Sequence, residues 1–120
     1  MTDFPGYNPF ADVPQVDVQD AHKEWSSGEA ELVDVREASE WDLGHIDGIK
    51  FIPLGDLPVR WKELDPDKKW ICVCRSGNRS NYAAAMLRQA GVEAANMRGG
   101  MLDWKVENLP ITSPGIVESH

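Results

Sequence analysis

The chain is 120 residues long, 42% hydrophobic and 27% charged, the proportions of one globular domain able to bury a core without metal or disulfide staples. Its formal net charge of −8 argues against nucleic acid and anionic membranes as partners, because both require clustered positive charge. The longest unbroken apolar run, Tyr82 to Leu87, is far too short for a bilayer span, and the first residues carry no basic and apolar leader, so the expected location is cytoplasmic.

Residues 1–13, with Pro5, Gly6, Pro9 and three aromatics, show neither helical nor strand period and read as an irregular arm. A domain over 14–110 follows, and residues 111–120, with Ser113-Pro114-Gly115, read as a flexible tail. Asp20 is the candidate N-cap of a short helix that stops before Gly28. Glu31 to Val35 reads as a strand, Glu37 to Leu43 as one or two helical turns, and Ile49 to Ile52 as a strand stopped by Pro53. A further helical stretch is predicted from about Leu54 to Leu64.

Trp70-Ile71-Cys72-Val73-Cys74 is a continuous apolar run, the signature of a central strand covered on both faces. Ser80 to Ala90 is alanine-rich and ends at Gly91, which predicts a helix, followed by a short strand at Ala94 to Met97 and a last helix at Met101 to Glu107. Strands alternating with helices predict an α/β sandwich around a largely parallel sheet. Trp104 is expected to close the last helix onto that sheet.

In such a sheet, ligands bind beyond the carboxyl ends of the strands, at the start of the next helix, and Cys74 falls there. The loop after it, Arg75-Ser76-Gly77-Asn78-Arg79, is suited to a tight curl, because Gly77 accepts a positive φ while Ser76 and Asn78 favour turns. Converging amides, the positive end of the helix and the two guanidinium groups all favour a thiolate, so the Cys74 pKa is expected to fall from about 8.5. From Cys74 to Gly100, Arg75, Arg79, Arg88 and Arg98 face Glu93 alone, a net charge of +3 in a chain of −8. A small anion is drawn to that segment.

Cys74-Arg75-Ser76-Gly77-Asn78-Arg79-Ser80 resembles the active-site loop of the rhodanese family. The likeness continues through Asp34-Val35-Arg36-Glu37, Gly44-His45-Ile46-Asp47-Gly48, Ile52-Pro53 and Gly99-Gly100-Met101-Leu102-Asp103-Trp104, in the family's order. It implies a three-layer sandwich with a mostly parallel five-stranded sheet flanked by helices on both faces. It also implies a thiosulfate sulfurtransferase in which Cys74 is the catalytic nucleophile and Arg75, Ser76, Gly77, Asn78, Arg79 and Ser80 bind the substrate. No metal or organic cofactor is implied. The donor it implies is a small sulfur anion such as thiosulfate, or a protein or small-molecule persulfide, and the acceptor cyanide or a thiol such as thioredoxin, glutathione or a sulfur-carrier protein.

Beside these readings stand plainer ones. Cys72 reads as a buried structural thiol, since alternate positions of one strand are a poor geometry for a disulfide. Ser76, Gly77, Asn78 and Ser80 are expected to act more through their backbones than their side chains. His45 reads as structural, and Asp34 with Arg36 as a structural ion pair. Two other functions compete: a non-catalytic binding module of the same family, whose usual mark is loss of the cysteine, and a cysteine-dependent phosphatase. The phosphatase pattern places arginine six residues after the cysteine, where this chain has Ser80, and the shorter loop suits one sulfur atom better than a phosphoryl group.

Overall fold

A computed structural model describes residues 12–113. The expected arm, apart from Asp12 and Val13, and the tail beyond Ser113 lie outside the described residues. In chain order the elements are β1 (Gln15–Val16), α1 (Val18–Ser26), β2 (Glu31–Asp34), α2 (Ala38–Leu43), β3 (Lys50–Phe51), α3 (Leu57–Arg60), β4 (Trp70–Val73), α4 (Asn78–Gln89), β5 (Ala94–Met97) and α5 (Gly100–Val106). The strands form one sheet in the order β1-β5-β4-β2-β3. Every pairing is parallel.

The apolar run of β4 is buried at all four positions, as a strand covered on both faces must be. Side chains alternate between the faces along each strand. Val33 and Cys72 join Ala83, Ala84 and Leu87 of α4 and Leu57 of α3 in one apolar cluster. Leu32, Ile71 and Val73 join Val18 and Ala21 of α1 and Met101 and Trp104 of α5 in another. Helices therefore cover both faces, giving the three-layer α/β sandwich and five-stranded sheet expected. Trp104, fully buried, fastens α5 to the sheet.

Local departures from the expected elements have physical causes. Asp17, and not Asp20, caps α1, because its carboxylate accepts the Asp20 amide at 2.8 Å. The helical stretch from Leu54 breaks into a 3-10 turn (Leu54–Asp56), α3, and a second 3-10 turn (Trp61–Glu63). Pro58 has no amide to give the Leu54 carbonyl, so a continuous α-helix cannot form there. Strand β1 is too short to show a period of two. It is held through Asn96 N–H to the Pro14 carbonyl and Arg98 N–H to the Val16 carbonyl, at 2.9 and 2.8 Å. Past residue 110 the chain is still paired: His45 and Thr112 exchange backbone hydrogen bonds of 2.8 and 2.6 Å in an antiparallel bridge.

Candidate active site

Cys74 follows β4 directly and shares the apolar cluster with Cys72, two residues earlier, so its sulfur is directed to the α4 side of the sheet. Gly77, the residue before α4, has φ +102°, a left-handed conformation that turns its amide back onto Cys74. The Gly77 amide donates to Cys74 Sγ at 3.1 Å, and Ser80 Oγ lies 3.2 Å from the same sulfur.

The outer side of the curl is fixed from α5. Met101 N–H donates to the Cys74 carbonyl at 2.8 Å and Leu102 N–H to the Arg75 carbonyl at 3.0 Å. These are amides of the first turn of α5, which have no partners within their own helix. With both carbonyls held outward, the loop amides are left to face the sulfur. Cys74 is only 1% exposed at the bottom of this cradle.

Burial pushes the Cys74 thiol up, but the Ser80 hydroxyl and the amides of Ser80, Gly77 and Ser76 pull it down harder. The thiol ends below its ordinary value. Ser80 thus touches the sulfur with its side chain, more than its sequence context suggested. Cys72 is the opposite case: burial and the nearby Cys74 charge push its thiol far up, so it stays protonated. Two cysteines only two residues apart, one on β4 and one just past its end, are separated chemically by their surroundings.

The arginines also differ. Arg79 forms a two-pronged ion pair with Glu40 of α2, at 2.7 and 2.8 Å. That pairing holds the Glu40 carboxyl at about 2. Arg75 is exposed and has no ion pair among the described residues. It lines a groove of about 130 Å³ with Arg36, Glu40, Leu43, Leu102 and Lys105. On the other side of the loop, Ser76, Gly77, Asn78, Asn81, Asn96 and Arg98 line a polar cavity of about 330 Å³. The unpaired cations at the site are therefore Arg75, Arg98 and Lys105, among the described residues.

The remaining polar residues are structural. Asp34 and Arg36 form a buried ion pair at 2.8 Å, and Arg36 also donates to the Gly44 carbonyl at 2.8 Å. His45 stacks on Trp41 with ring centres 3.8 Å apart. Among the described residues, no group of His, Cys, Asp and Glu could hold a metal ion, and no helix is long and apolar enough to cross a membrane.

A sulfur held by loop amides between a parallel strand and the next helix is matched by a family-wide pattern: residues 17–107 fit the family described as Rhodanese-like domain. The chain belongs to that family. Among its relatives is a putative sulfurtransferase of Bacillus subtilis, 39% identical over 66% of this chain and 77% of the relative. A sulfurtransferase of Allochromatium vinosum is 38% identical over 69% of this chain and 78% of the other. Among solved structures, a rhodanese-related protein of Thermoplasma volcanium superposes with a TM-score of 0.77 at 31% identity. That match covers 82% of this chain and 97% of the other.

Within this rhodanese-like domain, sequence reasoning did not find Glu40 or Asn96. Glu40 stands 39 residues from Arg79, and its only local signal is a helix capping box with Glu37. Asn96, 3% exposed on β5, is a buried amide in an otherwise apolar strand and so the kind of residue that needs a partner.

Proposed function

We propose that this rhodanese-like protein is a sulfurtransferase that carries sulfane sulfur on Cys74. The observation that supports this most is the lowered Cys74 thiol inside a cradle of Gly77 and Ser80 contacts at 3.1 and 3.2 Å. In the first half-reaction the Cys74 thiolate attacks the outer sulfur of thiosulfate. A sulfur–sulfur bond forms to Cys74, the sulfur–sulfur bond of the donor breaks, and sulfite leaves with the electron pair. In the second, cyanide or a thiolate acceptor takes the outer sulfur of the persulfide and returns Cys74 as the thiolate. Dividing one transfer into two easier ones is the logic of covalent catalysis.

The loop amides suit the anionic outer sulfur of the persulfide, which must lie where they converge. Attraction of the dianionic donor falls first to Arg75, because Glu40 already neutralises Arg79. Ser76, Gly77, Asn78 and Ser80 complete the donor site, and Arg79 stiffens its far end. The acceptor in this proposal is a small thiol or a protein thiol of the thioredoxin or sulfur-carrier type.

The test is intact mass after treatment with thiosulfate and then cyanide. The expected result is a gain of one sulfur atom, its loss with release of thiocyanate, and neither change in Cys74→Ser. A persulfide that survives in Cys74→Ser would overturn the assignment. Turnover of an aryl phosphate with no persulfide would favour phosphatase chemistry, and neither activity would favour a binding module.

A further inference from the structure

Asn96 makes more hydrogen bonds around the Cys74 cradle than any reading of its strand requires. Its Nδ2 donates to the Gly77 carbonyl at 3.0 Å and to Gln15 Oε1 at 2.8 Å. A backbone carbonyl only accepts, so the orientation of the Asn96 amide is fixed and its Oδ1 must face the other way. There it meets Ser80 Oγ at 2.5 Å. An amide oxygen also only accepts, so this bond uses the single proton of the Ser80 hydroxyl.

The same Ser80 Oγ lies 3.2 Å from Cys74 Sγ. One proton cannot serve both contacts. When Cys74 is a thiol, its S–H donates to Ser80 Oγ and Ser80 donates onward to Asn96. When Cys74 is a bare thiolate, Ser80 must turn its proton to the sulfur, and the buried Asn96 Oδ1 loses its donor. When Cys74 carries a second sulfur, the negative charge moves outward onto that atom, the inner sulfur becomes neutral, and Ser80 is free to return to Asn96.

From this conflict we propose that Asn96 is a positioning residue that competes with Cys74 for the Ser80 proton, opposing the bare thiolate and favouring the sulfur-loaded state. The consequence for transfer is direct, and it rests on Cys74 being the sulfur carrier. A resting thiolate that is slightly disfavoured attacks the donor more readily, and the loaded form is relieved of the conflict. The other charged and titratable groups around Cys74 are common to the parent and the Asn96 variants: Arg79 of α4 with its partner Glu40 of α2, Arg75 of the loop, Arg98 beside Asn96 in the polar cavity, Arg36 paired with Asp34 beside β2, and the protonated Cys72 of β4.

The test is the Cys74 thiol titration, read from ultraviolet thiolate absorbance or from the pH dependence of alkylation, in a double-mutant cycle. Asn96→Ala and the bulkier Asn96→Leu should lower the Cys74 pKa by about one unit, a tenfold rise in the thiolate-to-thiol ratio. Ser80→Ala should raise it. In the Ser80→Ala background the Asn96→Ala shift should shrink to the small part that comes from losing the Asn96 bond to the Gly77 carbonyl, since the proton in dispute is gone. A shift of the same size in both backgrounds, or an unchanged pKa with Ser80 intact, would overturn the proposal.

The unaltered protein supplies a second reading should the Asn96 variants fold poorly. Crystal structures of the reduced thiolate and the persulfide should show Ser80 Oγ drawn to Sγ in the first and returned to Asn96 in the second. Ser80 keeping one partner in both would refute the switch. The titration needs no turnover, so failure of sulfur loading in the mass experiment would strike the proposed function and leave this competition standing.

Discussion

Gly100 packs its Cα directly against the Cys74 carbonyl: a Cβ there would lie 2.5 Å from that oxygen and closer still to the carbonyl of Arg75. Its φ is +59°, so an L side chain is opposed by the backbone as well as by the contact. Gly100→Ala should therefore cost more than the ~1–3 kcal/mol of backbone strain alone. It should also slow persulfide formation, because the α5 amides at Met101 and Leu102 can no longer reach the loop carbonyls. Gly55→Ala is the control, since a Cβ there meets nothing within 4 Å. Denaturant titration should place Gly55→Ala at or slightly above the parent, and equal stability of the two variants would contradict the packing.

Glu40 holds Arg79 by two hydrogen bonds, and Glu40→Gln should release it. Glutamine keeps the capping box that Glu40 makes with the Glu37 amide. With the guanidinium free, KM for thiosulfate should fall several-fold at low ionic strength, and the gain should fade as salt screens it. Stability has a defined pH window. The Glu40 carboxyl is held at about 2 in the fold against an ordinary 4.5, so the pair stabilises fully above about 4.5 and the contribution is lost as pH falls towards 2. Both side chains are partly exposed, so screening limits the effect to ~0.5–1 kcal/mol. Glu40→Gln should flatten that acid limb, and an unchanged limb together with an unchanged KM would deny Glu40 its part.

What was legible in the sequence was contiguous. Cys74 to Ser80 is one short segment, and a glycine with positive φ at Gly77 lets it curl beside the strand. The apolar run of β4 and the alanines of α4 announce their elements because burial on both faces and close helix packing leave few alternatives. What was not legible came from distant pairings. Asn96 meets the loop because β5 lies in register with β4, with Asn96 opposite Cys72, and nothing local in Ala94 to Met97 records that alignment. Glu40 of α2 reaches Arg79 of α4 across 39 residues of sequence, and nothing local records that contact either. Strand β1 offers two residues, too few for a period, and exists only because Asn96 and Arg98 donate their amides to it.

Cys72 and Cys74 should be distinguishable by alkylation. Both are buried, but the Cys74 thiol lies below its ordinary value and Cys72 far above. At neutral pH, iodoacetamide should add one group to the native protein and none to Cys74→Ala. The reaction should keep its rate to lower pH than a free cysteine of pKa about 8.5, because the thiolate persists there. Cys72→Ala should load sulfur normally and lose on the order of 1 kcal/mol for the small cavity. Persulfide that vanishes in Cys72→Ala, with folding intact, would give Cys72 a chemical role that its surroundings oppose.

Trp104 links the stability of the fold to the geometry of the loop. It is fully buried, its indole N–H donates to the Pro110 carbonyl at 2.9 Å, and His22 of α1 meets its ring edge-on at 5.4 Å. Three residues earlier, the Met101 amide holds the Cys74 carbonyl. Trp104→Ala should cost ~3–5 kcal/mol, as large aromatic deletions in cores do. Trp104→Phe removes the hydrogen bond and part of the ring, so ~1–2 kcal/mol is expected. In a domain of this size that lowers Tm by roughly 5–15 °C. The loop should survive in Trp104→Phe, because α5 grips it with backbone amides and not with the indole. Persulfide formation below the new Tm should then match the parent, whereas a slowed first half-reaction at that temperature would mean the indole itself sets the position of α5 against Cys74.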